Sequence, residues 1–380
     1  MIRYKLGEIC EIVSGSTPKT GIEEYWDGDV KWITPAEIDD DSYIITDSVR
    51  KITELGVKKT GLSPLPEGTV ILSSRAPIGK VAIAGCEMYC NQGFKNLICS
   101  DIINNRYLYW FLKGNIAYLN SLGRGATFKE ISKQIVSAIE INVPTLSEQK
   151  AAVSQLEKVN NIIRMRRQEL QKLDELVKAR FVELFDASSA DKCTKRIKDY
   201  AEVLGGYAFK SDLFCTDAVP IIRISNINNG RVELDDSICF DKMFWEQNKR
   251  FHAEQNDILM AMSGATTGKA GIYKEDIPAL INQRVACIRA KDGIACPMFL
   301  FVATQLEWMY DLIQETSAGC AQPNISGKQI ENMPVPDTTY EQQKQFDAFV
   351  KQTDKSKVVV QKALDEAQTL FDSLMQEYFG

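Results

Sequence analysis

The chain repeats one plan twice, and this internal repeat constrains the fold more than any other feature of the sequence. Segments of the first half recur in the same order in the second half, at an offset of about 190 residues. We expect two copies of one topology, because chance resemblance between two unrelated domains would not keep six features in order. The matched features are Gly15 and Gly206, 32–38 and 221–227, Gly79-Lys80 and Gly268-Lys269, Asn91-Gln92 and Asn282-Gln283, Gly125 with Ile131-Ser132 and Gly319 with Ile325-Ser326, and Glu148-Gln149 and Glu341-Gln342.

Each copy leads into a long segment that predicts one uninterrupted α-helix. From Glu148 to Phe185 the sequence contains no proline or glycine and is rich in helix-forming residues. A proline-containing link precedes each helix, and we expect Ser147 to cap the first one. Apolar residues at seven-residue spacing predict a seam that two antiparallel helices bury together. The predicted interface residues are Leu156, Ile163, Leu170, Val177, Leu184, Val350, Val360, Leu364, Phe371 and Leu374.

These patterns together predict an α+β fold with a pseudo-twofold internal repeat. Two β-rich mixed domains alternate with two long helices that pair as an antiparallel coiled coil. A helix of this length spans about 55 Å at 1.5 Å per residue. Such a rod could hold the two mixed domains at a fixed distance, or it could merely close the fold or bind another protein. The predicted domains are 1–145, 146–186, 187–338 and 339–380.

Composition limits the class of protein. The chain has 380 residues, of which 44% are hydrophobic and 25% charged, which is typical of a soluble protein with two cores. We find no apolar run long enough to span a membrane and no secretion signal at Met1, and ten cysteines lack any CxxC pair, so we expect a cytoplasmic protein. The net charge of −6 argues against a simple nucleic-acid binder, although local fields or a partner subunit can supply positive surface.

The residue patterns of common catalytic and metal sites are missing. Cys86 and Cys90 would need two more ligands to bind zinc, and His252 is the only histidine, so we expect no metal site. The segment 264–270 resembles a phosphate loop, but it has one residue too few between its glycines and alanine in place of Ser or Thr. Glu148-Gln149-Lys150 resembles a nuclease fragment but lies at a helix entry. We therefore expect a recognition or scaffold protein and not an enzyme.

The ordered, duplicated set resembles the specificity (S) subunit of type I restriction-modification systems over essentially the whole chain. The segments that carry the resemblance are Ile78-Gly79-Lys80, 91–94, Gly123-Arg124-Gly125 with Ile131-Ser132, and the Pro-x-Leu-x-Glu-Gln step at 144–149. The resemblance implies that each β-rich domain is a target recognition domain that reads one half of a bipartite site in double-stranded DNA. It also implies that the helices set the spacer and dock two methylation (M) subunits, which use S-adenosylmethionine to methylate adenine. Restriction (R) subunits would join them and use ATP and Mg²⁺, so this chain itself would need no cofactor.

The predicted DNA-binding residues lie near turns, where functional side chains concentrate. Arg and Lys suit guanine or phosphate, and Asn and Gln suit adenine. For each residue the alternative is a solvated surface charge, and the two Asn-Gln pairs could instead satisfy buried backbone groups. The two halves also differ, because Gly264 stands where the first half has Arg75. The predicted residues are Lys19, Lys31, Arg75, Lys80, Arg124, Lys210, Arg223, Asn226, Lys269 and Arg284.

Two other functions compete with DNA recognition. The acidic net charge motivates a coiled-coil scaffold that carries two binding modules for ligands other than DNA. A cryptic enzyme is the third hypothesis. A bipartite footprint on DNA would separate the first hypothesis from the other two.

Overall fold

The computed structural model describes residues 2–75, 77–125, 129–215, 218–235, 237–317 and 323–380. The chain divides into two compact units, of which the first comprises residues 1–165 and 363–380 and the second comprises residues 166–362. Each unit contains one β-rich domain together with part of both long helices. The bounds of the two units reflect the compactness of the chain and do not test the four domain boundaries predicted from the sequence. Those boundaries therefore stay a prediction. Gly319 lies outside the described residues.

Within its described residues, the first unit is built from ten strands and five short helices. Its central strands 70–72 and 81–84 consist of apolar residues that are all buried, as expected for strands covered on both faces. The strands are β1 (Ile2–Lys5), β2 (Cys10–Ser14), β3 (Trp26–Ile33), β4 (Ile44–Ile45), β5 (Lys51–Ile52), β6 (Val70–Leu72), β7 (Val81–Ala84), β8 (Tyr89–Cys90), β9 (Lys95–Cys99) and β10 (Glu140–Val143). The helices are α1 (Leu6–Ile9), α2 (Glu54–Thr60), α3 (Asn105–Gly114), α4 (Ile116–Ser121) and α5 (Lys133–Ser137).

The described strands of the first unit form three sheets. Five strands form a sheet in the order β2-β9-β6-β7-β4, three form a sheet in the order β5-β3-β8, and β1 pairs with β10. The β4–β7 and β3–β8 pairs are parallel, whereas the other pairs are antiparallel. Helix α3 covers the large sheet and begins where the Asn104 side chain accepts hydrogen bonds from the backbone N–H groups of Arg106 and Tyr107.

The described part of the second unit contains twelve strands and five short helices after the long helix α6 (Leu146–Phe185). The strands are β11 (Lys195–Arg196), β12 (Ala201–Gly205), β13 (Val219–Ile222), β14 (Ile227–Asn228), β15 (Arg231–Val232), β16 (Cys239–Phe240), β17 (His252–Ala253), β18 (Ile258–Ala261), β19 (Ala270–Ile272), β20 (Ala279–Ile281), β21 (Val285–Ala290) and β22 (Pro334–Val335). The helices are α7 (Ile197–Tyr200), α8 (Lys242–Gln247), α9 (Pro297–Thr304), α10 (Glu307–Ser317) and α11 (Gly327–Glu331), and the chain closes with α12 (Tyr340–Phe379).

The sheets of the second unit reproduce those of the first. The orders are β12-β21-β18-β19-β15-β14, β16-β13-β20-β17 and β11-β22. The β13–β20 pair is parallel, as β3–β8 is in the first unit, and β12–β21–β18–β19 repeats the antiparallel run β2–β9–β6–β7. The predicted α+β fold with an internal repeat is therefore confirmed.

The two long helices pair in antiparallel fashion within each unit. In the first unit Tyr378 donates to Gln155 Oε1 at 2.6 Å, and Ile163 packs with Ala367. In the second unit Lys357 forms an ion pair with Asp174 at 2.7 Å, and the rings of Phe181 and Phe346 lie 5.3 Å apart. Contacts on α12 thus move backwards as contacts on α6 move forwards.

The predicted seam residues are all buried or half-buried. Their burial arises in the hydrophobic cores of the two units as well as between the helices, because Leu156 also packs on the first β-rich domain. Leu156, Ile163, Val177, Val350 and Val360 are buried, and Leu170, Leu184, Leu364, Phe371 and Leu374 are half-buried.

The start of α6 differs from the expected one. The helix begins at Leu146, so Ser147 lies inside it and the expectation that Ser147 caps the helix is wrong. The cap is Thr145, whose N–H and hydroxyl both donate to Glu148 Oε2 at 2.8 Å. The reason is spacing, since the carboxylate that reaches back lies three residues after Thr145. Within the described residues, no helix is long and apolar enough to cross a lipid bilayer.

Candidate nucleic-acid interface

Two glycines bring separate segments into backbone contact at matching places in the two units. Gly15 follows β2, and a Cβ atom added to it would stand 2.1 Å from the carbonyl oxygen of Asn91. Gly206 follows β12, and its Cβ would stand 2.2 Å from the carbonyl oxygen of Asn282. These distances are far inside van der Waals contact, so only glycine fits at either position.

The Asn-Gln pairs form the same turn in both units. Asn91 Oδ1 accepts a hydrogen bond from Gly93 N at 2.8 Å, and Asn282 Oδ1 accepts one from Arg284 N at 3.1 Å. The asparagines thus satisfy local backbone groups, which is the alternative to DNA binding given for the Asn-Gln pairs in the sequence analysis. The neighbouring Gln92 and Gln283 are instead exposed at the tips of these turns.

A hairpin packs beside each of these turns. Ser74 N donates to Gly93 O at 2.7 Å, and Met262 N donates to Arg284 O at 2.9 Å. The hairpins end at Gly79 and Gly268, whose φ angles of 98° and 86° favour glycine.

The hydrogen bonds also correct the pairing of residues between the two units. Ile131 N donates to Ser74 O at 3.0 Å and Ile325 N donates to Met262 O at 2.9 Å, so Ser74 corresponds to Met262. The residue that matches Arg75 is therefore Ser263. The match with Gly264 drawn from the sequence is wrong by one residue, because sequence order alone does not fix the register of the hairpin.

We call the surface around each turn the turn surface of its unit. In the first unit Arg75 and Arg124 both pair through backbone bridges with Glu130, so these two arginines flank Glu130 from either side. Lys80 reaches Pro35 O at 2.9 Å, and Lys19 lies two residues after Thr17, whose hydroxyl bonds to Gln92. The first turn surface comprises Lys19, Arg75, Lys80, Gln92 and Arg124.

The second turn surface has the same centre and likewise carries four cations. Arg223 directly follows Ile222, whose carbonyl oxygen accepts from Asn282 N at 3.0 Å. Segments 222–226, 262–269 and 282–285 carry three cations and no acidic residue. The second turn surface comprises Lys210, Arg223, Lys269, Gln283 and Arg284.

Most of the predicted DNA-binding side chains are unpartnered. Protein cations usually find a carboxylate or carbonyl nearby, so a set of cations without one is available to an external anion. Among the described residues, no hydrogen bond or ion pair is formed by the side chains of Lys19, Arg75, Arg124, Lys210, Arg223, Lys269 and Arg284.

Two of the ten predicted residues lie in other surroundings. The amide nitrogen of Asn226 donates to Glu233 O at 2.9 Å and to Ser237 Oγ at 3.2 Å, and the residue is buried. Lys31 donates to Cys86 Sγ at 3.2 Å and lines an open depression of about 700 Å³ together with Asp29, Glu54 and Glu87. Neither side chain belongs to a turn surface, and a DNA-binding role for either stays a prediction.

Sequence reasoning missed one charged residue that supports the first turn surface. Lys95 lies in strand β9 and is buried, and its Nζ atom pairs with Glu130 Oε1 at 3.2 Å and with Ser74 Oγ at 3.3 Å. This ion pair occupies the Glu130 carboxylate, which could otherwise pair with Arg75 or Arg124. A single lysine in a strand gives no sequence signal for such a role.

The thiol of Cys90 and the imidazole of His252 are both engaged within the fold. Burial raises the pKa of Cys90 to about 12, so its thiol stays protonated at neutral pH. His252 stacks on Trp245 at 4.4 Å and bonds to its carbonyl oxygen. In the part of the chain that the structure describes, no group of three or more His, Cys, Asp or Glu side chains could hold a metal ion. Each turn surface, with its unpartnered cations, is suited to binding a polyanion.

A family model for the type I restriction modification DNA specificity domain matches residues 3–175 and again residues 190–366. The chain belongs to this specificity family. The two matched ranges correspond to the two repeats, so the chain carries two copies of this domain in tandem.

Curated relatives carry the same family name. The MjaIX type I specificity subunit of Methanocaldococcus jannaschii is 31% identical over 70% of this chain and 67% of its own length. The EcoBI specificity subunit of Escherichia coli is 23% identical over 83% of this chain and 75% of its own length.

Solved structures share the fold. The S subunit from M. genitalium aligns with a TM-score of 0.58 at 14% identity and covers the whole of this chain and 96% of its own. A chain from a study of complex assembly and conformational transition of the type I restriction-modification system aligns with a TM-score of 0.61 at 16% identity, over the whole of this chain and 97% of its own.

Proposed function

We propose that this protein is the DNA-recognition subunit of a type I restriction-modification complex, with each turn surface contacting one half of a bipartite site. The observation that carries the proposal is the set of seven unpartnered cations that surround a matched, exposed glutamine in both units. Cations position a protein on phosphates, and exposed amides and guanidinium groups can reach base edges. The scaffold alternative explains neither the cations nor the family match.

We further propose that the chain performs no catalysis and acts in the cytoplasm, where its DNA would lie. Methylation and restriction subunits would supply the chemistry with S-adenosylmethionine, ATP and Mg²⁺. The two 40-residue helices would provide docking surface for the methylation subunits, and their length would set the number of unspecified base pairs. Positive surface on those partners would offset the net charge of −6.

A charge-neutralising pair of variants tests the DNA proposal. Arg75→Gln should weaken binding of the complex with its methylation subunit to a DNA duplex, and should lower the slope of log affinity against log salt by about one. Arg3→Gln removes the same charge from β1, where Arg3 pairs with Glu140 at 2.6 Å, and should leave both quantities unchanged. Equal effects of the two substitutions would contradict a role for the turn surface.

A further inference from the structure

The exposed glutamines of the two turn surfaces occupy equivalent positions. Gln92 follows Asn91 and Gln283 follows Asn282, and each asparagine fixes its turn by accepting a hydrogen bond from the backbone two residues later. Among the described polar side chains of the two turn surfaces, glutamine and lysine recur at matched positions. A side-chain type that recurs in this way suggests one shared task.

The amide groups of these glutamines are available to a ligand. Gln283 makes no side-chain hydrogen bond to any described residue. Gln92 accepts one hydrogen bond at Oε1 from the hydroxyl of Thr17, which orients the amide and leaves both Nε2 hydrogens free. Since the turn beneath each side chain is already fixed, a ligand would have to order little more than the glutamine itself.

The surroundings of the amides indicate what they contact. The backbone bond from Ser74 to Gly93 places Arg75 beside Gln92, and Arg284 directly follows Gln283. The cations would anchor the phosphates on either side, so the amides would face the groove between them. A carboxamide presents one donor and one acceptor side by side, which matches N7 and the N6 amino group of adenine in the major groove.

We propose that Gln92 and Gln283 each read the edge of an adenine, one in each half of the recognition site. This inference rests on the proposed DNA recognition and adds the residues and the base. The amide Nε2 would donate to adenine N7, and Oε1 would accept from the N6 amino group. Because Gln92 Oε1 is an acceptor with two lone pairs, it could keep the bond to Thr17 while it accepts from the base.

A double-mutant cycle between side chain and base tests this assignment. The full chain, in complex with its methylation subunit, would be titrated with unmethylated duplexes that contain the motif at which the complex methylates DNA. In each duplex, 7-deazaadenine replaces one adenine. The wild-type complex should lose about tenfold in affinity at one adenine of the first half-site. Gln92→Leu should lose a similar factor in affinity on the duplex without 7-deazaadenine. It should lose no further affinity when that adenine is replaced.

The second unit supplies the matched control. Gln283→Leu should respond to 7-deazaadenine in the first half-site as the wild type does, and should lose its response in the other half-site. Thermal unfolding of both variants should match the wild type, because both side chains are exposed.

Several outcomes would overturn the inference. They are wild-type affinity of Gln92→Leu, equal weakening on specific and unrelated duplexes as for a phosphate contact, and a loss that no adenine replacement relieves. A wild-type complex without sequence preference would instead overturn the proposed function, and the inference with it.

Discussion

One glycine in each unit, Gly15 or Gly206, allows the end of a strand to contact the backbone of the Asn-Gln turn. Gly206 has no room for a methyl group between itself and the carbonyl groups of Ile281 and Asn282. The adjacent Gly205 has no heavy atom within 4 Å of its Cβ position. The two neighbours therefore differ in packing while sharing a residue type.

This difference predicts unequal effects of the same substitution. Gly206→Ala should lower the free energy of unfolding by about 3 kcal/mol, because either the turn or β12 must move. Gly205→Ala should change the free energy of unfolding by less than about 0.5 kcal/mol. Denaturant unfolding followed by tryptophan fluorescence measures both. Similar values for the two variants would show that the backbone contact at Gly206 is unimportant.

Sequence could locate the turns but could not assign each side chain. Glycine and Asn-Gln pairs mark positions where local backbone geometry decides, so their recurrence pointed to the right segments. Asn226 was also a reasonable candidate by type, yet it is buried because its partners Glu233 and Ser237 lie in a later segment. Such long-range satisfaction of a polar group is invisible in a single sequence.

At the scale of elements, the two long helices begin with the same cap but with different chemistry. Thr145 bonds to the Glu148 carboxylate, whereas Thr339 bonds to the Gln342 amide oxygen at 3.0 Å. The hydrogen bonds from the side chain and backbone of Thr145 lower the pKa of Glu148. Only the first helix therefore has a cap that depends on pH.

The lowered pKa of Glu148 sets the sign of a pH dependence. A carboxyl group with a depressed pKa in the folded state stabilises the fold above its unfolded pKa, and this contribution is lost as pH falls through the folded pKa. Glu148→Gln should keep the cap, as Gln342 does, but remove its pH dependence. Unfolding free energies measured from neutral pH down to about pH 3 should therefore converge for wild type and variant at the acid end. A gap that is constant with pH would contradict the role of Glu148.

The seam was the most predictable element, because seven-residue spacing reports directly on one helix face. What spacing could not reveal is that each end of the seam is also part of a domain core. Phe371 packs against Trp110 of the first β-rich domain, with ring centroids 5.6 Å apart. Spacing also gave no sign that Thr145 and not Ser147 caps α6, since both residue types serve as caps.

At the scale of the whole molecule, each unit needs residues from both repeats. The first unit includes residues 363–380, which comprise the end of α12, and Phe371, Met375 and Phe379 pack on its core. The repeat places Val177, Phe181 and Phe185 of α6 at the corresponding positions. In a fragment that contains a single repeat, the end of α6 from a second copy could therefore replace the missing end of α12.

This arrangement predicts that residues 1–186 form a homodimer. The end of α6 from one copy would cover the core of the other copy, as residues 363–380 do in the full chain. Sedimentation should give twice the fragment mass, and with a methylation subunit the dimer should select a palindromic site. Arg3→Gln in the same fragment should dimerise equally. A folded, monomeric fragment would contradict the pseudo-twofold arrangement.

The account depends most on two separate reading surfaces in one chain, and the motif of modified bases reports on this directly. The measurement is the methylome of cells that express the methylation subunit with or without this protein. We expect modification that depends on this protein at a motif of two specified blocks with a fixed number of unspecified base pairs between them. A single contiguous motif, or modification that is independent of this protein, would contradict the account.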